Sequence, residues 1–325
     1  MQIEGRRFLV TGGAGNIGSH VTDELIRRGA VEVVVIDSLD RGREENLAWA
    51  LANGSVRLVV DDIRNVDVVN RLMEGIDGVF HQAAFRITQC AAQPRDSIEV
   101  MVTGSYNVFQ AAVDAGAKKI VAASTASVYG EPSYLPMDEK HPFNNDTLYG
   151  ACKIADEQIL RALHAMHGID YVALRYFNVY GPRMDAFGRY TEVMIRWLER
   201  IQAGEPPLIF GDGTDAMDFV YVGDIARANI LAMESDVTDE AINVATGEMT
   251  SLSELCEIML RMAECNLKPE FRPKRKINPV STRKAGTKKA AELLGFEPTV
   301  SLPEGLKLLH DWYQTLPIAD KDAVG

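Results

Sequence analysis

Three glycines in the turn after the first strand constrain this fold more than any other feature. Residues 7–11 have the apolar pattern of a buried strand, and Gly12, Gly15 and Gly18 follow at once, ahead of a helical pattern that ends near Gly29. Glycine allows a tight turn and a close approach of the backbone to a pyrophosphate, which rests on the helix N-terminus. A glycine triplet alone is a weak indication, but a strand before it and a helix after it are the context that a dinucleotide site requires.

Apolar strand patterns alternate with helical patterns over the first half of the chain. Strands are predicted at residues 7–11, 32–37, 56–60, 78–81, 119–123 and 171–174. Such alternation is typical of a parallel sheet covered by helices on both faces. After residue 175 the pattern changes, and no repeat or low-complexity linker separates the two parts. The sequence therefore predicts an α/β fold with a doubly wound parallel sheet and a second, smaller lobe, the two being interleaved.

An acidic residue ends the second predicted strand. Asp37 stands 19 residues after the last glycine of the turn, where a carboxylate accepts hydrogen bonds from the adenosine ribose and repels a 2′-phosphate. This predicts NAD rather than NADP as the cofactor, although Arg41 and Arg43 lie close by and weaken that preference slightly. Asp62 and Ile63 follow the third strand, where they either meet the adenine or form an ordinary turn.

Composition and charge exclude several classes of protein. The chain has 325 residues, of which 46% are hydrophobic, and a formal net charge of −12, so neither nucleic acid nor an anionic membrane is an expected partner. No apolar run approaches the roughly 18 residues of a membrane span, and the N-terminus does not resemble a signal peptide. Cys90, Cys152, Cys256 and Cys265 have no metal-binding spacing, which favours reduced thiols in a cytoplasmic protein with no metal site.

A tyrosine and a lysine stand four residues apart in a predicted helix. Tyr149 and Lys153 therefore lie on one helix face, where an ammonium favours the ionised form of a phenol. A tyrosine titrates near ~10, so a base that acts near neutrality needs a shift worth about 4 kcal/mol. The Lys153 charge and the positive charge of an oxidised nicotinamide can supply it. The pair alone is a weak indication, because such spacings also arise by chance.

Six segments together give the chain a family resemblance. It resembles the extended short-chain dehydrogenases/reductases, in the branch of nucleotide-sugar epimerases and dehydratases that includes UDP-glucose 4-epimerase. The resemblance runs nearly end to end and rests on Thr11-Gly-Gly-Ala-Gly-Asn-Ile-Gly18, Val79-Phe-His-Gln-Ala-Ala84, Ser124-Thr-Ala-Ser-Val-Tyr-Gly130, Tyr149-x-x-x-Lys153, Arg175-Tyr-Phe-Asn-Val-Tyr-Gly-Pro-Arg183 and Gly211-Asp-Gly followed by Asp218-Phe-Val-Tyr-Val-x-Asp224.

The resemblance implies a Rossmann-type NAD-binding domain and a smaller nucleotide-sugar-binding lobe. We expect the first at residues 1–175, with part of 216–247 returning to it, and the second at 176–325. Tyr149 is implied as the base, Lys153 as its electrostatic partner and ribose anchor, and Thr125 as a hydrogen-bond partner of the reacting hydroxyl. The implied cofactor-binding residues are Gly12, Gly15, Asn16, Ile17, Asp37, Asp62, Ile63, Ala83, Tyr149 and Lys153. The implied substrate-binding residues are Arg86, Ser124, Thr125, Asn178, Arg183, Arg189 and Lys276.

The residues after Thr125 favour one reaction of the family. All branches first oxidise the sugar at C4, and those that then eliminate water or carbon dioxide usually carry an acidic side chain just after the catalytic Ser or Thr. Ala126 and Ser127 stand there, which predicts return of the hydride to the other face, that is, 4-epimerisation. A dehydratase or decarboxylase of the same fold is the alternative. A dinucleotide-binding protein without catalysis would be a third reading, but such relatives often lack the tyrosine or lysine.

Three positions depart from the family pattern, and one of them is Arg86, which stands where small or hydroxyl residues are more usual and can reach a substrate carboxylate or phosphate. Met217 stands where an arginine usually binds the diphosphate, and Met101 replaces a usual asparagine. Arg283 lies near the position that limits sugar size. Other arginines and lysines can bind the diphosphate instead, among them Arg183, Arg189, Arg275 and Lys276. These departures leave the sugar open, with a uronic acid or a modified sugar as alternatives to glucose and galactose. The resemblance also implies a homodimer, paired through helices at about 94–115 and 149–167.

Overall fold

The structure of the protein, a computed structural model, describes residues 1–187, 192–274 and 280–317. Its strands are β1 (Arg7–Thr11), β2 (Glu32–Asp37), β3 (Val56–Val60), β4 (Gly78–His81), β5 (Lys119–Thr125), β6 (Asp170–Tyr176), β7 (Asn178–Tyr180), β8 (Leu208–Phe210), β9 (Ala216–Met217), β10 (Phe219–Tyr221), β11 (Glu240–Val244), β12 (Thr250–Ser251), β13 (Glu270–Arg272) and β14 (Thr282–Arg283).

The helices alternate with the strands of the first half and dominate the second. They are α1 (Asn16–Arg27), α2 (Ala48–Asn53), α3 (Val66–Met73), α4 (Ile87–Ala92), α5 (Pro94–Ile98), α6 (Ser105–Asp114), α7 (Leu148–His167), α8 (Val193–Gln202), α9 (Val222–Glu234), α10 (Leu252–Met262), α11 (Lys288–Leu294) and α12 (Leu302–Gln314). Within the described ranges, no helix is both long enough and apolar enough to cross a membrane.

Seven parallel strands form the main sheet, in the order β11-β6-β5-β4-β1-β2-β3. The predicted α/β fold class with a doubly wound parallel sheet is confirmed. Two strands run beyond their predicted ends: β5 reaches Thr125 and β6 reaches Tyr176, and these residues pair with each other. Because the strands are parallel, their carboxyl ends share one edge, the edge at which α/β sheets bind ligands.

Both faces of the sheet are buried, as the continuous apolar strand patterns predict. In β1, Phe8 and Val10 join one core cluster, while Leu9 joins the other. This division follows from the alternation of side chains along a strand. The first cluster also contains Ile225 and Ile230 of α9, so α9 covers the sheet together with α1.

A smaller lobe is built from the later elements. Its own core surrounds the buried Trp197 of α8, whose indole Nε1 donates to the carbonyl of Leu208, and includes residues of α10 and α12. Helix α10 begins at a capping box, in which Ser251 Oγ accepts from Glu254 N at 3.2 Å and Glu254 Oε2 accepts from Ser251 N at 2.8 Å. After β7–β10 the chain returns to the main sheet as α9 and β11.

The predicted helix at 94–115 contains a wider turn. Residues Glu99–Gly104 form a π-helical segment between α5 and α6. Ser105 Oγ donates to the carbonyl of Met101 at 2.7 Å, next to this segment. Such π segments are frequent near functional sites, and Val100 lines the pocket described below.

Candidate active site

The glycine turn between β1 and α1 leaves no room for side chains. Gly12 has φ +64°, and a Cβ there would lie 2.7 Å from the backbone nitrogen of Ala83. A Cβ on Gly18 would lie 2.2 Å from the carbonyl oxygen of Gly12. The turn therefore holds β1, α1 and the segment after β4 together by direct backbone packing. Ala83 N also donates to Thr11 Oγ1 at 3.2 Å.

The N-terminus of α1 opens into a large pocket. Gly15 is its N-cap and supplies no side-chain hydrogen bond, so the first N–H groups of the helix are available to an anion. Gly12, Gly15, Asn16, Ile17 and Ala83 all line the pocket. These features, predicted from the sequence as cofactor-binding, fit the pyrophosphate of a dinucleotide.

Asp37 supports the turn from the end of β2. Its Oδ2 accepts from Ala14 N and its Oδ1 from Leu39 N, both at 2.9 Å. Burial raises the pKa of Asp37, and the backbone N–H groups oppose that rise. A carboxylate accepts about four hydrogen bonds, so its oxygens retain capacity for ribose hydroxyls.

The basic residues near Asp37 have carboxylate partners. Arg41 pairs with Asp185 at 3.2 Å, and Arg43 with Glu45 at 3.5 Å. Because these carboxylates offset their charges, Arg41 and Arg43 attract a 2′-phosphate less strongly, which favours NAD over NADP. At the end of β3, Asp62 pairs with Arg64 at 2.7 Å. Both Asp62 and Ile63 line the pocket, near the glycine turn and Asp37.

Thr125 and Tyr149 meet at the opposite end of the pocket. Thr125 ends β5, where its Oγ1 accepts from Ser127 N at 3.1 Å and begins a short 3₁₀ turn. Tyr149 lies in the first turn of α7, which Thr147 caps by accepting from Gly150 N at 3.1 Å. Both side chains line the pocket, and the Thr125 hydroxyl is near enough to the Tyr149 phenol to lower its pKa.

The electrostatics of Tyr149 differ in part from the sequence prediction. Burial raises the pKa of Tyr149, and this outweighs the Lys153 charge and the neighbouring Thr125 hydroxyl, which lower it. Lys153 thus acts in the predicted direction, but it does not bring the phenol towards neutrality by itself. The sequence argument underestimated burial, because the helical spacing of two residues says nothing about how deeply they lie.

Asp156 is a functional candidate that the sequence analysis missed. Lys153 is 1% exposed, and its Nζ lies 3.1 Å from Asp156 Oδ2. Burial lowers the pKa of Lys153, but the charge and hydrogen bond of Asp156, together with the charge of Tyr149, more than offset this, so that the pKa is raised. Burial raises the pKa of Asp156 to about 6 against the opposing Lys153 charge. The sequence feature that could have identified Asp156 is its position one turn after Lys153, on the same face of the helix.

A second buried network fixes the end of β5. Arg175 donates to both carboxylate oxygens of Glu157, at 2.9 and 2.7 Å, and to the Tyr129 hydroxyl at 2.8 Å. Ser124 Oγ donates to Glu157 Oε1 at 2.5 Å. Ser124 lines the pocket as predicted, but its hydroxyl hydrogen is committed to Glu157. The network therefore anchors the residue immediately before Thr125.

The predicted substrate-binding residues have different surroundings. Arg86 lines the pocket and pairs with Glu192 at 3.1 Å, and Asn178 lines it at the start of β7. Arg183 lines it beside α1, where it pairs with Asp23 at 2.8 Å, next to the contact of Asn16 Nδ2 with the carbonyl of Pro182. Arg189 and Lys276, together with Arg275, lie outside the described residues.

Arg283 and Met217 are neighbours in register. Strands β9 and β14 are parallel, and Met217 pairs with Arg283. Arg283 is buried and lines the pocket, which has a volume of about 380 Å³. The loss of the usual arginine at Met217 is thus accompanied by an arginine on the adjacent strand.

Comparisons with known proteins agree with this geometry. The model of the NAD dependent epimerase/dehydratase family matches residues 8–245. A putative UDP-glucose 4-epimerase of Methanocaldococcus jannaschii is 36% identical over 94% of this chain and 97% of its own length. A UDP-N-acetyl-α-D-glucosaminuronate decarboxylase of Bacillus cytotoxicus is 32% identical over 96% and 98%.

Solved structures share the whole fold. The UDP-N-acetylglucosamine 4-epimerase of Methanobrevibacter ruminantium, in complex with UDP-N-acetylmuramic acid, superposes with a TM-score of 0.91 at 33% identity. The match covers 96% of this chain and 99% of that one.

Proposed function

The chain belongs to the NAD dependent epimerase/dehydratase family, and we propose that it catalyses the 4-epimerisation of a nucleotide diphosphate sugar, specifically a UDP-sugar, in carbohydrate biosynthesis. The observation that carries this proposal is the segment after Thr125. Ala126 and Ser127 are both buried there, and Ser127 N is bonded to Thr125 Oγ1. Neither residue brings a carboxylate to the sugar, so elimination of water or carbon dioxide from a 4-keto sugar has no acid or base from this segment.

The side chains around Tyr149 have separable roles in this proposal. Tyr149 removes the C4 hydroxyl proton and later returns it, while Thr125 holds that hydroxyl by a hydrogen bond. Lys153 favours the phenolate through its charge. Bound NAD supplies a hydride acceptor at C4 that becomes the donor in the second half of the reaction. The remaining predicted contacts keep their proposed roles, and the pairing of Arg183 with Asp23 of α1 supports a role for Arg183 beside that helix.

A decarboxylase or dehydratase is the second candidate. The relative from Bacillus cytotoxicus, named as a decarboxylase, is 32% identical over nearly the whole chain. Loss of carbon dioxide or water from a 4-keto sugar would leave a product that differs in mass from the substrate, whereas an epimer has the same mass.

Proton NMR of the purified protein with a panel of UDP-sugars, and no added NAD, tests the proposal. The panel comprises UDP-glucose, UDP-N-acetylglucosamine, UDP-glucuronate and UDP-xylose. We expect the 4-epimer of at least one sugar, formed by cofactor that stays bound through purification. A product of lower mass would indicate elimination instead of epimerisation. If no sugar is converted, the proposed function is rejected.

The Tyr149→Phe variant separates an enzyme from a protein that only binds dinucleotide. It removes the acid–base hydroxyl and keeps the aromatic ring in place. We expect turnover to fall by at least about 10³-fold, with the amount of co-purified NAD unchanged. Turnover equal to that of the unaltered protein would exclude Tyr149 as the base.

We also propose a domain division, an oligomeric state and a location. Residues 1–175 with part of 216–247 form the NAD-binding domain, a division supported by the return of β11 to the main sheet.

A homodimer through α5–α7 is supported by the exposed apolar side chains Ile98, Tyr106 and Met166 on these helices. Sedimentation of a stable monomer at micromolar concentration would contradict the dimer. The cytoplasmic location rests on the cysteine argument from the sequence.

A further inference from the structure

Arg283 is a buried cation that forms no ion pair among the described residues, although the more distant Glu131 charge opposes the lowering of its pKa by burial. Arg283 is only 7% exposed, and its Nε has no hydrogen-bond partner. Burying an unpaired guanidinium costs several kcal/mol. A chain retains such a group where something outside the polypeptide compensates for it, and Arg283 lines the main pocket.

The other arginines of the pocket contrast with Arg283. Each of them has a carboxylate partner within 3.2 Å: these pairs are Arg41 with Asp185, Arg86 with Glu192 and Arg183 with Asp23. The acidic side chains that follow β2 and β3 lie near the glycine turn. Within the described ranges, Arg283 is therefore the lining arginine that has no carboxylate within ion-pair distance.

Arg283 lies at the end of the pocket where the chemistry occurs. Ala285, two residues later, packs in one cluster with Ala126 and Phe177. The backbone around it is tied to the loop after β5, because Met137 N donates to the carbonyl of Lys284 at 2.7 Å. Arg283 is also close enough to Tyr149 for their charges to interact. An anion that reaches Arg283 therefore belongs to the part of the ligand next to Tyr149.

We propose that Arg283 binds a carboxylate carried by the sugar itself, so that the substrate class is a UDP-sugar acid rather than a neutral hexose. This inference rests on the proposed 4-epimerisation and specifies its substrate. A guanidinium binds a carboxylate through two parallel hydrogen bonds. A neutral sugar leaves the buried guanidinium unpaired, and sites of that kind discriminate strongly against the analogue that lacks the group.

The test compares charged and neutral sugars in the same holoenzyme. Initial rates are measured by NMR for UDP-glucuronate, whose carboxylate is C6, and for UDP-N-acetylmuramate, whose carboxylate is on an ether at C3. UDP-glucose and UDP-N-acetylglucosamine are their neutral counterparts. We expect kcat/KM to favour one acid over its neutral counterpart by at least about 100-fold, and the acid that is favoured locates the carboxylate. A neutral sugar turned over as well as both acids would overturn the inference while leaving 4-epimerisation intact.

Variants of Arg283 identify the group that it binds. Arg283→Met should lower kcat/KM for the favoured acid by about 100-fold, change the neutral sugars by less than about threefold, and leave the affinity for UDP unchanged. Arg283→Lys, which keeps the charge, should recover part of the loss. An equal loss for acids, neutral sugars and UDP would instead assign Arg283 to the diphosphate and refute the inference.

Lys284→Met is the matched control. It removes one positive charge from the adjacent position, whose side chain does not line the pocket. It should therefore leave the ratio of acid to neutral rates as it is. A thermal denaturation of Arg283→Met without substrate checks folding, and we expect its midpoint to be at least that of the unaltered protein, because a buried unpaired charge is removed. If conversion is absent for every sugar in the unaltered holoenzyme, the proposed function fails, and this outcome is distinct from the loss of selectivity alone.

Discussion

Replacing Arg175 by methionine should destabilise the protein far more than replacing both members of its ion pair. Arg175 and Glu157 have side chains only 5% and 6% exposed, and they are joined by two hydrogen bonds. In Arg175→Met, the Glu157 carboxylate keeps only the hydrogen bond from Ser124. Methionine has similar length and is apolar, so packing is largely preserved and the loss is mainly electrostatic.

The magnitude follows from the cost of an unpaired buried charge. Removing one partner of a buried pair costs about 3–5 kcal/mol, whereas apolar replacement of both partners is often neutral. The variant also loses the hydrogen bond from Arg175 to the Tyr129 hydroxyl, worth about 1 kcal/mol. We therefore expect Arg175→Met to lose about 4–6 kcal/mol, and Arg175→Met/Glu157→Met to lose about 1–3 kcal/mol.

Guanidinium denaturation, followed by circular dichroism, measures these free energies, with Glu157→Met completing the double-mutant cycle. The expected signature is a double variant that is more stable than either single variant. If the two single losses simply add, Arg175 and Glu157 are not energetically coupled, and the argument for a charge-driven anchor of β5 is wrong.

Two further changes test the cofactor site and the charge beside Tyr149. Gly18→Ala places a Cβ 2.2 Å from the Gly12 carbonyl oxygen, so the turn must shift. We therefore expect the amount of NAD released from the purified protein on denaturation to fall at least about tenfold. An unchanged NAD content would contradict the argument that the tight turn requires glycine. Asp156→Asn removes a charge that raises the pKa of Lys153, so a larger fraction of the lysine is neutral as pH rises. We expect the kcat of the variant to be lower than that of the unaltered protein, and the ratio of unaltered to variant kcat to increase from pH 6 to pH 9. A ratio that is constant over this range would show that Asp156 does not control the charge of Lys153.

The fold was predictable because its signals are local and repeated. Strands β1 to β4 have the predicted bounds, since each is a short apolar run ended by glycine or by a polar residue. The π-helical segment Glu99–Gly104 left no comparable pattern. A wide turn in a helix depends on packing against neighbouring elements, and the apolar periodicity on either side of it resembles that of one continuous helix.

The candidate site was predictable where spacing alone determines proximity. Tyr149 and Lys153 share a helix, and the glycines share a turn. The contacts of Asp156 with Lys153 and of Arg175 with Glu157 depend on burial and on pairing across elements, which one sequence does not express. The register of Met217 with Arg283 likewise required the structure, because these residues are distant in the chain and meet only in the small β-sheet of the second lobe.

The fate of the hydrogen at C4 distinguishes hydride transfer to bound NAD from proton abstraction at carbon. In a reaction that transfers hydride from C4 and returns it, that hydrogen never exchanges with solvent. The purified holoenzyme is incubated in D2O with the UDP-sugar that it converts, and the product is analysed by proton NMR. For hydride transfer from C4 and back, we expect a 4-epimer that keeps its C4 proton and contains no deuterium on carbon. Deuterium at C4 would show proton abstraction from carbon in place of hydride transfer, and would contradict the account.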